Sequence, residues 1–236
     1  MSLGGRLSGQ VAIVTGASRG IGRAVAEALV AEGAAALIIA RSPGPLAEAQ
    51  RALAVARNGV RVEALAGDVS DEAFVARAFQ RAEERLGPVD LLVNNAGTLE
   101  IAPIAELTRA QFERTLEVNL VGAFLCAREA VRRMVPRARG RIVTVTSISA
   151  TLGTPKLSAY CASKWGLQGF VKSLAEELRG TGVLSMGVAP GSVDTDMLRR
   201  SGFDPAMQPG EVAIVVRFLA TEAPAAMQGS VVEMFG

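Results

Sequence analysis

Short runs of apolar and β-branched residues alternate with longer stretches of helical periodicity along the whole chain. The short runs predict strands at 11–15, 36–40, 60–66, 89–94, 141–146, 183–189 and 230–234. Apolar positions three and four residues apart predict helices over 20–32, 45–57, 71–86, 108–135, 157–179 and 210–221. Several strands, such as Val11-Ala-Ile-Val-Thr15 and Ile142-Val-Thr-Val-Thr146, are almost continuously apolar or β-branched, as expected of a sheet covered on both faces. Strand–helix alternation implies parallel pairing through right-handed crossovers. The expected fold is therefore α/β, a doubly wound parallel seven-stranded sheet with helices on both faces. No Pro/Ser-rich linker or internal repeat divides it, so residues 1–236 are expected to form a single domain. Residues 196–209 lack strong periodicity and hold Arg199, Arg200, Gly202 and Pro205, which predicts a mobile lid.

A sheet of this kind places its ligands at the carboxyl ends of the strands. The first end reads Thr15-Gly16-Ala-Ser18-Arg19-Gly20-Ile21-Gly22 and runs into a helix. Glycines let backbone approach a pyrophosphate, and a helix N-terminus offers free N–H groups and positive potential. The second strand ends at Arg41-Ser42 with no acid. An acid there holds a ribose 2′-hydroxyl, whereas arginine accommodates a 2′-phosphate, so NADP(H) is expected over NAD. The third strand ends at Gly67-Asp68-Val69-Ser70-Asp71. Ser70 reads as a helix N-cap, and Asp68 either accepts from an adenine amino group or fixes the turn. The fourth ends at Asn94-Asn95-Ala96-Gly97, where small residues leave room for a ribose. The fifth ends near Ser147 and Ser149. The sixth ends at Pro190-Gly191, followed by Val193 and Thr195, the latter suited to bind a carboxamide or phosphate.

Tyr160 and Lys164 stand four residues apart on the predicted 157–179 helix, so phenol and ammonium share one face. A free tyrosine titrates at about 10. A neighbouring cation favours the phenolate, so Lys164 is expected to lower the Tyr160 pKa and create an acid/base pair. Tyr160 is the only tyrosine, and Lys164 is one of three lysines in a chain whose basic charge is otherwise arginine. Ser147 can donate to a substrate carbonyl. Asn119, on an apolar helix, either holds a water serving the site or braces a kink.

The absence of histidine excludes Ser-His-Asp and Cys-His nucleophile systems and His-ligated metal. Two cysteines, Cys126 and Cys161, make neither a disulfide framework nor a Cys₄ site, so no metal is expected. The net charge of +2 is interleaved, with no basic block for nucleic acid or an anionic membrane. No apolar run reaches membrane-spanning length and no signal-peptide pattern opens the chain, which makes a cytoplasmic protein the default.

Together, the glycine turn, Asn94-Asn-Ala-Gly97, Asn119, Ser147, Tyr160-Cys-Ala-Ser-Lys164 and Pro190-Gly191 with Thr195 resemble the compact short-chain dehydrogenase/reductases over about residues 8–234. The phrasing is most similar to the β-ketoacyl-acyl-carrier-protein reductases. It is shared with sugar, polyol and steroid dehydrogenases. The resemblance implies a Rossmann-type sheet and hydride exchange between a nicotinamide and a carbonyl or secondary alcohol. It implies catalytic roles for Asn119, Ser147, Tyr160 and Lys164. It implies cofactor contacts along Gly16, Ser18, Arg19, Gly20, Ile21, Gly22, Arg41, Ser42, Asp68, Val69, Asn95, Ala96, Gly97, Tyr160, Lys164, Pro190, Gly191, Val193 and Thr195. It further implies a homotetramer or homodimer and a small-molecule or acyl-thioester substrate. Arg132, Arg133, Arg137 and Arg139 are either a docking patch for an acidic carrier protein or an exposed basic helix end. Two other functions are weighed, a catalytically idle NADP-binding sensor or scaffold and a nucleotide-fold methyltransferase.

Overall fold

The computed structural model describes residues 5–56 and 59–236. Seven parallel strands form one sheet: β1 (Val11–Thr15), β2 (Ala35–Ala40), β3 (Val62–Ala66), β4 (Val89–Asn94), β5 (Gly140–Val145), β6 (Val183–Pro190) and β7 (Val231–Met234). Their order is β3-β2-β1-β4-β5-β6-β7. The order reverses between β1 and β4, and a crevice opens at such a switch point outside the strand ends. Helices α1 (Gly20–Ala31), α2 (Pro43–Ala56), α3 (Glu72–Arg85), α4 (Arg109–Leu116), α5 (Gly122–Met134), α6 (Ser158–Glu177), α7 (Asp196–Ser201) and α8 (Pro209–Thr221) supply the crossovers and the lid.

Successive side chains of a strand point to opposite faces, and the core divides accordingly. Ala12 and Val14 of β1 pack with Val25, Leu29, Leu46, Val212 and Val216 of α1, α2 and α8. Val11 and Ile13 pack on the other face with Phe74, Phe79, Leu125 and Leu174 of α3, α5 and α6. Both faces are covered, which is why the strands read as continuous apolar runs. β3, one of the two edge strands, is only half-buried and starts two residues later than the predicted 60–66 run.

Four expectations change in detail. The predicted 108–135 helix is interrupted at Glu117–Val121 by a π-helical turn, in which the Gly122 N–H donates to the Glu117 carbonyl. α2 begins at Pro43, with its ring at the first helical position where no N–H is required. The last residue of the predicted 45–57 helix, Arg57, lies outside the described residues. The N-cap of α3 is Asp71 and not Ser70, because the Asp71 side chain accepts from the Phe74 N–H at 3.1 Å while Ser70 turns to Asp68. The region read as an irregular lid contains α7, capped by Thr195 on the Leu198 N–H at 3.2 Å. No helix among the described residues is long and apolar enough to cross a membrane.

Candidate active site

The end of β1 is tied to the end of β4 by a small polar network. The Thr15 hydroxyl accepts from the N–H groups of Asn95 and Ala96, both at 3.0 Å. The Asn95 amide donates to the carbonyls of Thr15 at 2.9 Å and Gly16 at 3.2 Å. The contact is so close that a Cβ on Gly16 would stand 2.8 Å from the Asn95 amide nitrogen, and Gly16 also has a positive φ of 68°. Glycine is required there on both counts. α1 starts at Gly20 with no side-chain cap from Arg19, whereas α3, α4 and α7 are all capped by side chains. Its first N–H groups thus remain available to an anion at the strand end. At the end of β2, Arg41 and Ser42 are exposed. Among the described residues Arg41 makes no ion pair, and no acid stands at that strand end. These features fit the phosphates of a dinucleotide.

Asp68 is occupied by the protein. It accepts from the Ser70 N–H at 3.0 Å and hydroxyl at 2.8 Å, and it pairs with Arg114. Burial would raise its pKa, but these donors outweigh burial and hold the carboxyl below its usual value. Of the two roles weighed for Asp68, the turn-fixing one is what the side chain does. Val69, beside it, is buried, and a Cβ on Gly122 would meet its side chain at 2.7 Å.

The second half of the site gathers on α6. Tyr160 is half-buried and Lys164 is buried, with the Lys164 Nζ 5.6 Å from the Tyr160 ring centroid. Lys164 donates to the Val145 carbonyl at 3.0 Å. Burial lowers its pKa to about 8. The expected depression of the Tyr160 pKa is not found. Burial raises it, a hydrogen bond from Ser147 opposes that rise, and the neighbouring Cys161 adds to it. The reason is physical. Spacing along a helix brings the two groups together, but both lie in a poorly solvated place that disfavours the charged form of each. Ser147 is buried at the end of β5, where its oxygen accepts from the Ser149 N–H at 3.1 Å.

Asn119 sits in the π-helical turn and is 1% exposed. Its side chain accepts from the Thr98 N–H at 2.7 Å and donates to the Thr98 carbonyl at 3.0 Å and the Ser163 hydroxyl at 2.9 Å. Ser163 in turn donates to the Tyr160 carbonyl at 2.7 Å. Asn119 therefore braces the interrupted helix against α6 and the loop after β4. Gly97 lies close beside it, 3.3 Å from a built Cβ to the Asn119 oxygen. Ser163 and Thr15 were not singled out from the sequence, because serine and threonine at helix and strand ends are too common to flag. Cys126 is a core residue whose thiol burial pushes up to about 12.

Gly191 is fixed by its N–H to the Met234 carbonyl at 2.8 Å, and Val193 bridges to Met207 at the neck of the lid. Thr195 comes against the glycine turn: a Cβ on Gly20 would stand 3.1 Å from its methyl group. The structure thus gathers the strand-end residues of β1, β4, β5 and β6 around one end of the sheet, with Arg41 and Asp68 farther along the β2 and β3 ends. The arginines offered as a docking patch are bound within the chain. Arg132 and Arg133 pair with Glu129, and Arg133 also with Glu83, while Arg137 and Arg139 pair with Asp90.

The family model for short chain dehydrogenases matches residues 10–205. The chain belongs to the short-chain dehydrogenases. Within the family it is most like the 3-oxoacyl-[acyl-carrier-protein] reductases. It is 35% identical to such an enzyme from Synechocystis over 93% of this chain and 92% of that one. It is 40% identical to a 2-dehydro-3-deoxy-L-rhamnonate dehydrogenase (NAD(+)) from Sphingomonas over 82% of this chain and 76% of that one. Among solved structures, a 3-oxoacyl (acyl-carrier-protein) reductase from Agrobacterium tumefaciens with NADP bound superposes with a TM-score of 0.89 at 34% identity, covering 98% of this chain and 94% of that one. A short-chain dehydrogenase of this kind is an oxidoreductase acting between alcohols and carbonyls with a nicotinamide cofactor.

Proposed function

We propose that this short-chain dehydrogenase uses NADP(H) to interconvert a ketone and a secondary alcohol, with 3-oxoacyl thioesters as the first substrates to test. The observation that carries the cofactor reading is Arg41, an exposed cation without an ion-pair partner among the described residues at the β2 end, where no acid competes. The dinucleotide would lie along the glycine turn from Gly16 to Gly22, past Ser42 and Val69, over Asn95, Ala96 and Gly97, to Pro190, Gly191, Val193 and Thr195. When bound, the cofactor supplies or accepts the hydride. The protein supplies the rest. Ser147 holds the substrate oxygen, and Tyr160 gives that oxygen its proton in reduction or takes it in oxidation. A phenol is protonated at neutral pH and so carries the proton that reduction requires. Lys164, whose pKa burial lowers to about 8, would hold the cofactor ribose beside the phenol. Asn119 keeps the π-helical turn in register with α6.

The four arginines near Asp90 and Glu129 lend little support to a carrier-protein docking patch, since each is already paired with a carboxylate of the chain. Exposed apolar side chains on the α5 and α6 side, Val121, Phe124 and Trp165, support a homotetramer or homodimer. Light scattering tests that assembly. The function is tested by following NADPH and NADH consumption with acetoacetyl thioesters, simple ketones and diketones. Turnover with NADPH supports the reading. Tight NADPH binding with no turnover across that panel would leave a sensor or scaffold instead.

A further inference from the structure

The glycine turn and the lid meet through charge as well as through contact. Arg19 stands between Ser18 and Gly20, and its Nη1 lies 3.0 Å from Oδ2 of Asp196, the first residue of α7. The other oxygen of Asp196 takes Nη2 of Arg199 at 2.8 Å, and Nη1 of Arg199 reaches Asp194 at 2.5 Å. Below this cluster the neck of the lid is closed by backbone, with Asp194 N–H to Met207 carbonyl at 2.9 Å and Ala206 N–H to Ser192 carbonyl at 2.8 Å. Among the described residues, Arg19–Asp196 is the ion pair that joins the lid to the glycine turn.

Resting on the reading that the cofactor is NADP(H), we propose that the exposed Arg19 side chain can leave Asp196 and join Arg41 on the cofactor 2′-phosphate, so that Asp196 is a specificity-determining residue, which competes with that phosphate for Arg19. Three features make the exchange feasible. The Arg19 side chain is 73% exposed and that of Asp196 51%, so their pair is solvated and weakly held. A phosphate dianion offers arginine a bidentate, charge-assisted partner that a single carboxylate oxygen does not match. Asp196 keeps Arg199 when Arg19 leaves, so its charge is not stranded. NADH carries no 2′-phosphate and leaves the pair intact. Asp196 therefore reduces the advantage of NADPH over NADH, and the phosphate that displaces it loosens the lid.

The test is equilibrium binding of NADPH and NADH by calorimetry, which needs no substrate. An exposed pair of this kind is worth a small factor, so Asp196→Asn should tighten NADPH binding roughly two- to five-fold and leave NADH unchanged. Arg19→Gln should weaken NADPH, and adding Asp196→Asn to it should then have no effect. Persistence of the Asp196→Asn gain in the Arg19→Gln background would mean simple repulsion of the phosphate and overturn the competition. Equal tightening of both cofactors, or none, would also overturn it. If Arg19→Gln changes neither cofactor and the wild type binds NADH as tightly as NADPH, the NADP(H) reading itself falls. In the same proteins, NADPH should speed tryptic cleavage after Arg199 or Arg200 and NADH should not; identical cleavage with both would count against displacement.

Discussion

The two ends of the sheet handle buried charge in opposite ways. At the amino-terminal end every buried carboxylate is matched. Asp90 accepts from the Val11 N–H at 3.2 Å and pairs with Arg137 and Arg139. Glu129 pairs with Arg132 and Arg133, whose hydrogen bonds overcome burial and hold its pKa below the usual value. At the carboxyl end Lys164 is just as buried, yet its hydrogen bond is to the neutral Val145 carbonyl and its pKa falls to about 8. Matched charge stabilises a fold, whereas an unmatched buried charge persists where function needs a group that titrates near working pH. The contrast separates the part of the chain that holds the sheet together from the part that does chemistry.

The largest effect should come from Tyr160→Phe, which removes the proton donor. Turnover should drop about 10²–10⁴-fold with the melting temperature little changed, as read by NADPH consumption and thermal melts. Because the chain has one tyrosine, phenolate absorbance in the wild type reports Tyr160 alone, and without cofactor it should titrate above about 10. At the other end, Asp90→Ala should cost about 2–3 kcal/mol of stability in denaturant titrations, while turnover per folded molecule stays near wild type. A comparable loss of turnover would erase the contrast between the two ends.

Lys164→Met should do the reverse of Asp90→Ala. Activity should fall sharply, yet the cofactor-free fold should gain about 1–2 kcal/mol at neutral pH, after allowing for the lost bond to Val145. The sign follows from the lowered pKa. Below pH 8 the folded protein carries a buried ammonium at full cost, and between about 8 and 10.5 the wild type regains stability as that proton leaves. The advantage of the variant should therefore shrink as pH rises through that window. The smallest effect belongs to Ser163→Ala, about 1 kcal/mol in stability, because Asn119 keeps both of its bonds to Thr98. It should also slow turnover several-fold and move the pH profile, since the turn carrying Tyr160 and Lys164 loses its brace; an unchanged profile would confine Ser163 to packing.

The sheet was legible because apolar runs and helical spacing are local signals repeated from Val11 to Met234. The site was legible at the strand ends for the same reason. What escaped was non-local. The partner of Arg19 lies 177 residues away, and no periodicity links it to Asp196. The π-helical turn at Glu117–Val121 keeps the helical spacing on both sides, so the inserted residue leaves little trace. Ser70 and Asp71 are both good caps by type, and only the turn made by Asp68 decides between them. The Tyr160 pKa went the wrong way because spacing gives direction on a helix but says nothing of how dry the neighbourhood is.

The neck at Ser192 and Met207 has one further consequence. A segment whose exit and re-entry lie side by side, stitched by main-chain bonds, makes few sequence demands at its borders beyond the buried Val193 and Met207 and the side-chain ties of Asp194 and Asp196. Residues 196–206 can thus be lengthened, shortened or exchanged with little strain reaching β6. Evolution could diversify what this scaffold accepts by editing a cassette, leaving the framework beneath it untouched.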